Sequence, residues 1–405
     1  MGSEDAPQES NDLLEEIYDD AAPGHSIIPR KEFKPWHHPR KHWVRINQLC
    51  QLAQKLIAET HFSDETLRYL TLPGEELLDI QALEGVLDKV RAKHLKYTGF
   101  NEIGEDTERR GLQNYAERII ADKDTVLMGP GILNGRIQDI ASRSSLAYKT
   151  VKENGPFNLI NLDLCNSIAN TSPDHEDDTY FDAIARILEL QRKHMAEPFI
   201  IFISTRTGIR DINSKSLERI IGVHNENIDR SDEFKNVFEG IVEQEANSLL
   251  SELLQGSDVS QDILNRVFGV GLGKWLLQLM RSSTPYWDVT LEHLCCYSVY
   301  EEKPNMLTMA FKFKKVDGGM IDKLGLTKIL AGQKKVAQES ELAISMLEKS
   351  KQIINVDTLL ENNLAEREKI IKQAAKLLTG VGYSEEGYLN WANSFFPDSA
   401  QTATA

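Results

Sequence analysis

The sequence predicts an α/β protein: a mostly parallel, doubly wound sheet closed by a C-terminal antiparallel hairpin, with a helical insertion and C-terminal helices. Three observations predict it. From about Leu67 onward, short apolar runs alternate with segments of helical spacing, as successive βα units do. Two of those runs, PFNLINLDL and PFIIFIST, are apolar enough for strands buried on both faces, and the second is β-branched and aromatic throughout. After them come two β runs joined by EEKPN, the pattern of a hairpin.

The elements follow in order. Residues 1–24 contain eight acids and no Lys or Arg, so a disordered acidic tail is expected over 1–25, acting as a solubiliser rather than as a helix laid on a partner. The sign flips in RKEFKPWHHPRKHWVR, which opens a basic and aromatic arm over 26–66. Pro35 and Pro39 hold its first part extended, and HWVRINQLCQLAQKLIAE reads as a helix. Cations interleaved with aromatics suit a nucleic-acid backbone and its bases, which nominates Arg40, Lys41 and Arg45 as contacts. Trp36 and Trp43 could instead pin the arm to the domain, and both readings stay open. His37, His38 and His42 have no carboxylate or Cys close by in sequence, so no metal site is expected there.

The α/β domain is expected over 67–318. Its first run lies in LPGEELLDIQAL and ends at Asp79, followed by a helix over GVLDKVRAKHL. LKYTGFN is the second strand, DTERRGLQNYAERII a helix, and a weak third strand precedes RIQDIA. PFNLINLDL is the fourth strand, and Thr179 caps the helix TYFDAIARILELQRKHM. After the fifth strand, PFIIFIST, a helical insertion spans about 212–284. It holds FKNVFEGIVEQEANSLLSELL, with one apolar face, and SQDILNRVFGVGLGKWLLQLM, capped by Ser260. In the hairpin, Leu307, Met309, Phe311 and Phe313 alternate with Thr308, Ala310 and Lys312. A C-terminal helical extension over 319–396 carries helices from about Gln333 to Ile354 and from Asp357 to Leu378, with Gly380 as a stop. Leu347 and Ile354, like Ile371 and Leu378, recur at seven-residue spacing, which suits a helical hairpin, a homodimer or another protein partner. SEEGYLNWANSFF closes the fold, and 397–405 should be loose.

Composition narrows the function classes. Lys and Arg number 46 against 62 Asp and Glu, a net charge of −16 over 405 residues. That balance excludes a protein that coats nucleic acid over its whole surface, yet leaves room for a local basic patch. Four cysteines without paired metal spacing, and no signal peptide, point to a reducing cytoplasm. No apolar stretch approaches the roughly 18 residues that a membrane-spanning helix needs.

Parallel βα units followed by an antiparallel hairpin resemble the class I S-adenosylmethionine-dependent methyltransferases. The resemblance covers Leu67 to Lys315 and lies in motif order. In that family the first strand ends in an acid and a glycine-rich loop, D-x-G-x-G-x-G, where glycine lets the backbone approach the methionine part of the cofactor. Asp79-Ile80-Gln81-Ala82-Leu83-Glu84-Gly85 offers the acid and the last glycine, with Gln81 and Leu83 in place of two others. The resemblance further implies that Asn101 and Glu102, after the second strand, stand where the family binds ribose, and that Asp139 in RIQDIA lies near adenine. Asp163, Asn166 and Thr205, after the fourth and fifth strands, would face the methyl acceptor. In the resembling fold the ligand crevice lies between the first and fourth strands, as expected where strand order reverses in an open α/β sheet. The family reading is therefore methyl transfer to an unknown acceptor. The alternative is a degenerate methyltransferase fold serving as a binding or assembly subunit, in a bacterial nucleic-acid-handling or defence complex.

Three other signals are set aside. GVGLGK lacks the first glycine and the final hydroxyl of a phosphate loop and sits in a helical apolar pattern, so close packing of small residues explains it. Cys165 follows Leu164 where a cytosine-type nucleophile follows Pro, and no Lys or Arg neighbours it in sequence, so a structural cysteine is expected. DHEDD precedes a helix start, where acids favour the dipole.

Overall fold

The computed structural model describes residues 32–60, 65–87, 94–257, 259–299, 303–316 and 337–396. The acidic tail over 1–25, the segment 88–93 of the helix expected after Asp79, the start of the helix expected near Gln333 and the tail 397–405 lie outside the described residues.

After a 3-10 turn at Pro35–His37, α1 (Pro39–Val44) runs through a π turn at Arg45–Cys50 into α2 (Gln51–Glu59). The arm is therefore helical from Pro35, not extended. Pro39 sits at the first helical position, where its missing N–H costs nothing. The chain continues as β1 (Thr66–Thr71), α3 (Leu78–Leu87), β2 (His94–Asn101), α4 (Thr107–Ala121) and β3 (Gly131–Asn134). A 3-10 turn at Ile137–Ala141 leads to α5 (Leu146–Asn154), β4 (Leu159–Asp163), α6 (Tyr180–His194) and β5 (Phe199–Arg206). Four helices come next: α7 (Ser214–Arg230), α8 (Asp232–Val242), α9 (Ala246–Leu254) and α10 (Gln261–Arg281). The chain then forms β6 (Trp287–Tyr297), β7 (Met306–Lys315), α11 (Glu339–Ser350) and β8 (Ile354–Asn355), and ends with α12 (Val356–Asn362), α13 (Leu364–Thr379) and α14 (Glu385–Asn393).

One eight-stranded sheet has the order β3-β2-β1-β4-β5-β7-β6-β8. Strands β1 to β5 are parallel, β7 is antiparallel to both β5 and β6, and β8 adds a short parallel edge to β6. The two-residue period of a strand sends alternate side chains into two cores. Along β5, Phe199, Ile201 and Ile203 enter the core that the insertion helices complete, while Ile200 and Phe202 enter the core beneath α2 and α3. In β7, Thr308 and Ala310 are buried like Leu307, Met309 and Phe311, because the π turn covers their face and Thr308 Oγ1 bonds the Gln48 side chain.

Several expectations need correction. The first strand is TLRYLT at Thr66–Thr71, and LDIQALEGVL is helix α3. Leu77 takes a positive φ of 53° at the turn, and Asp79 then falls in the first helical turn, where a carboxylate favours the dipole. The helix expected from Phe234 to Leu254 breaks into α8 and α9 at Glu243, which adopts the left-handed conformation at φ 55°. The helix expected from Asp357 breaks at Asn363, which caps α13 through its side chain. Ile354 belongs to a strand, not a helix. The seven-residue repeats are used inside the chain: Leu347 is buried in the main core, and Ile371 and Leu378 pack with Leu78, Tyr383 and Tyr388. Gly269, Gly271 and Gly273 of GVGLGK lie in α10, where an added Cβ would come 3.2, 2.6 and 2.7 Å from neighbouring side chains. Close packing is thus what these glycines serve. No helix among the described residues is long and apolar enough to cross a membrane.

Candidate functional site

The carboxyl ends of β1 to β4 border a cavity of about 410 Å³. Strand order reverses there, since β1 has β2 on one side and β4 on the other, so the two outgoing connections leave in opposite directions and open a crevice. The loop after β1 contributes Pro73, Gly74, Glu75 and Glu76, and α3 contributes Asp79. The end of β2 contributes Asn101 and Glu102; the turn after β3 contributes Arg136 and Gln138; the end of β4 contributes Asp163, Cys165 and Asn166. The arm lays Trp36, Lys41 and Arg45 across the same opening.

A second cavity of about 480 Å³ adjoins it. Its floor is formed by the ends of β4, β5 and β6, with Asp163, Arg206 and Tyr297. Its walls come from the two extremities of the described chain, Phe33, Trp36 and His38 from one and Trp391 and Phe395 from the other. Trp36, Lys41, Asp163, Leu164 and Cys165 line both cavities and so mark where they meet.

Electrostatics at this junction is set by buried ion pairs. Arg45 Nε donates to Asp79 Oδ1 at 2.6 Å, and Asn161 Nδ2 donates to Oδ2 at 3.0 Å. Lys41 Nζ donates to Asp163 Oδ1 and, at 3.4 Å, to the Tyr297 hydroxyl. Burial by itself would lower the Lys41 pKa, but Asp163, Tyr297 and Asp79 outweigh it and raise it. Burial likewise opposes the charge on Arg45, and Asp79 more than compensates. The Tyr297 hydroxyl is pushed up to about 12, chiefly by burial. Burial and then Asp163 raise the Cys165 thiol, so this residue stays protonated and is a poor nucleophile.

A buried network holds the loop after β1. Trp36 Nε1 donates to Glu76 Oε2 at 3.1 Å, the Tyr383 hydroxyl donates to Oε1 at 3.0 Å, and His37 Nε2 lies 3.5 Å from Oε1. Arg109, from α4, pairs with Glu75.

The structure thus brings together Asp79, Asn101, Glu102, Asp163 and Asn166 among the candidates read from sequence. Lys41 and Arg45 join them from the arm, whereas Gln81, Gly85, Asp139 and Thr205 stay outside the cavity. Gln81 points away and donates to the Glu76 carbonyl at 2.8 Å; Gly85 lies on α3, with nothing within 4 Å of an added Cβ. Asp139 is exposed on its 3-10 turn, and its neighbours Ile137 and Gln138 line the cleft instead. Thr205 is fully buried and accepts a 2.7 Å bond from Ile168 N, so it holds the loop after β4 rather than facing an acceptor. Arg40, Lys41 and Arg45 turn inward to Asp357, Asp163 and Asp79 rather than outward as a basic strip. Sequence reasoning missed Glu75, Arg109, Tyr180 and Tyr297, and it read Trp36 as an anchor of the arm, which its bond to Glu76 makes it, but not as a cavity wall; the one available signal was the pair of cations at positions 41 and 45, one helical turn apart in an arm that faces acidic strand ends. Among the described residues, no group of three or more His, Cys, Asp or Glu could hold a metal ion.

A family model, PP_RS20740-like, matches residues 30–393. No curated protein matches the chain.

Proposed function

The chain belongs to the PP_RS20740-like family, and from its cleft we propose that it is a class I S-adenosylmethionine-dependent methyltransferase-like protein, with cofactor in the first cavity and acceptor in the second. The observation that carries this reading is the meeting of two cavities at Asp163, at the end of the strand beside β1. The hairpin that returns β7 antiparallel beside β5 supports it.

The cleft's residues suit a zwitterionic nucleoside. Asn101 and Glu102 at the end of β2 would take the ribose hydroxyls, and Gln138 and Tyr180 would border the adenine. The loop at Gly74 and the carboxylate of Asp79 would border the methionine part. Gly74 would stand in for the glycine-rich loop of the resembling family. When bound, the cofactor supplies a sulfonium methyl group. The chain's own part is alignment and proton removal. Lys41 fixes Asp163 through Oδ1, and Oδ2 accepts no bond from a described residue, which leaves it to take the proton that an acceptor nitrogen or oxygen sheds.

A second reading has one specific observation behind it: Arg45 and Lys41 already answer Asp79 and Asp163. A degenerate methyltransferase-fold subunit in a nucleic-acid-handling or defence complex would be built that way. Calorimetry with S-adenosylmethionine and S-adenosylhomocysteine separates the two. Methyltransferase function predicts saturable heat with both, weakened roughly ten-fold or more by Glu102→Ala, as loss of a hydrogen bond to a charged group implies. Glu102 is exposed, so its removal spares the fold. No heat at millimolar ligand would favour the binding-subunit reading.

A further inference from the structure

The second cavity contains features that the cofactor cleft does not explain. Its walls are aromatic and come from both ends of the described chain. Phe33 and Trp391 stack with centroids 5.2 Å apart and planes 30° apart, and Phe395 meets Trp391 edge-on at 4.9 Å. Two of these rings keep large open faces: Trp36 is 38% and Phe395 44% exposed. Rings that face a cavity while still solvated have apolar area left for a ligand to cover.

His38 adds a polar requirement. The residue is only 7% exposed and lines the cavity. Its Nδ1 accepts from Arg40 N at 3.2 Å and from Arg40 Nε at 3.0 Å. A neutral imidazole that accepts at Nδ1 carries its proton on Nε2. Burial and then Arg40 push its pKa down to about 3, so it is neutral at physiological pH. Nε2–H is consequently a buried donor, and it has no partner among the described residues. A donor left so costs free energy unless something accepts from it. Asp163 lines the same cavity, and its Oδ2 accepts no bond from a described residue.

We propose that the second cavity binds a planar nitrogen heterocycle of the nucleobase type, enclosed by the rings of Trp36, Trp391 and Phe395 with its face on Phe395 and its edge toward Trp391, accepting from His38 through a carbonyl or ring nitrogen and donating an N–H or amine to Asp163. A nucleobase edge carries both functions on one rigid plane, whereas a phenol or an indole offers one polar group. A cavity of about 480 Å³ has room for a base with its sugar. Arg40 and Arg206 line the wall, and a guanidinium plane adds to stacking. As the acceptor's class, this rests on the methyltransferase reading; as a binding site, it stands apart from it. The same heterocycle could arrive as a free nucleoside or as a base unstacked from a nucleic-acid strand.

Cytidine and uridine are the probes, titrated against the full chain without cofactor and followed by tryptophan fluorescence and calorimetry. Saturable binding is expected, weakened roughly ten-fold by Phe395→Ala, the magnitude for losing one stacking partner. His38→Leu should weaken it similarly, while Glu102→Ala in the cofactor cleft leaves it unchanged. Phe395 is exposed, so its variant tests the idea without relying on a core residue. A short single-stranded oligonucleotide that binds at least ten-fold tighter, with affinity falling steeply in salt, assigns the base to nucleic acid; equal affinities assign it to the free nucleoside. No nucleoside binding, binding indifferent to Phe395 and His38, or equal binding of indole overturns the proposal. Nucleoside binding without S-adenosylmethionine binding would sink the cofactor reading alone.

Discussion

The ion pair between Arg45 and Asp79 should be the strongest single tie between the N-terminal arm and the cleft, and a double-mutant cycle measures it. The two side chains are 6% and 13% exposed, and Nε lies 2.6 Å from Oδ1. Replacing Arg45 by Met keeps the unbranched apolar stem and removes the charged guanidinium. Asp79 is then left in the cleft with only Asn161 Nδ2, at 3.0 Å, as partner. Removing one member of a buried pair costs about 3–5 kcal/mol, because the other charge stays desolvated. Asp79→Asn should cost a similar amount, since Arg45 would keep His42 Nδ1, at 3.3 Å, and the more distant charge of Asp163 but lose its hydrogen-bonded carboxylate. With both replaced, no isolated charge remains, so the double variant should lose well under the sum, with a coupling of about 2 kcal/mol or more. Equilibrium unfolding in urea of the four proteins provides the measurement. Additive losses, with coupling below about 0.5 kcal/mol, would show that solvent or another group compensates each charge, and the arm would not be fixed this way.

Acid should destabilise the fold through its buried histidines. Burial lowers His224 and His293 to about 4 and His38 to about 3, so below pH 6.5 the unfolded chain binds protons that the folded chain refuses. Stability is therefore lost as pH falls from 6.5 toward 4, by about 2 kcal/mol per histidine at pH 5, and His224→Leu should flatten the dependence between pH 7.5 and 5 by that amount; an unchanged slope would refute it. In α10, Gly271→Val should cost about 1–3 kcal/mol, since its Cβ would lie 2.6 Å from Ile220 Cγ2, while Gly222→Ala, with nothing within 4 Å, should stabilise by about 0.5–1 kcal/mol in the same thermal melts.

How much of this was legible depended on whether the deciding contacts were local. Strands β4 and β5 and the hairpin could be read because strands buried on both faces must be apolar at nearly every position. TLRYLT could not, because Arg68 and two Thr break its apolar run, while Leu77, Leu78 and Ile80 next door look more strand-like. That run is apolar because α3 is buried beneath the sheet and against α13, which periodicity over so few residues cannot reveal. The misplacement moved Gln81 and Gly85 into an imagined loop and left the true loop, Leu72 to Leu77, unread. Asp163 and Asn101 were legible because a polar residue that ends an apolar strand faces the crevice in any such sheet. Lys41 was not, since its partner lies 122 residues away and only the folded chain brings them together.

The same long-range logic explains why the two cavities belong to one unit although their walls come from opposite ends of the chain. Glu76, in the loop after β1, is bonded at once by Trp36 from the arm and by Tyr383 from just before the last helix. The Tyr388 hydroxyl donates to the His37 carbonyl at 2.7 Å, which ties that helix to the arm directly. Trp36 lines both cavities while holding Glu76, in the loop that borders the first of them. Because Glu76 is buried and multiply bonded, the loop cannot shift without breaking hydrogen bonds to both ends of the chain. One carboxylate and one indole thus join the walls of both cavities to the two ends of the described chain.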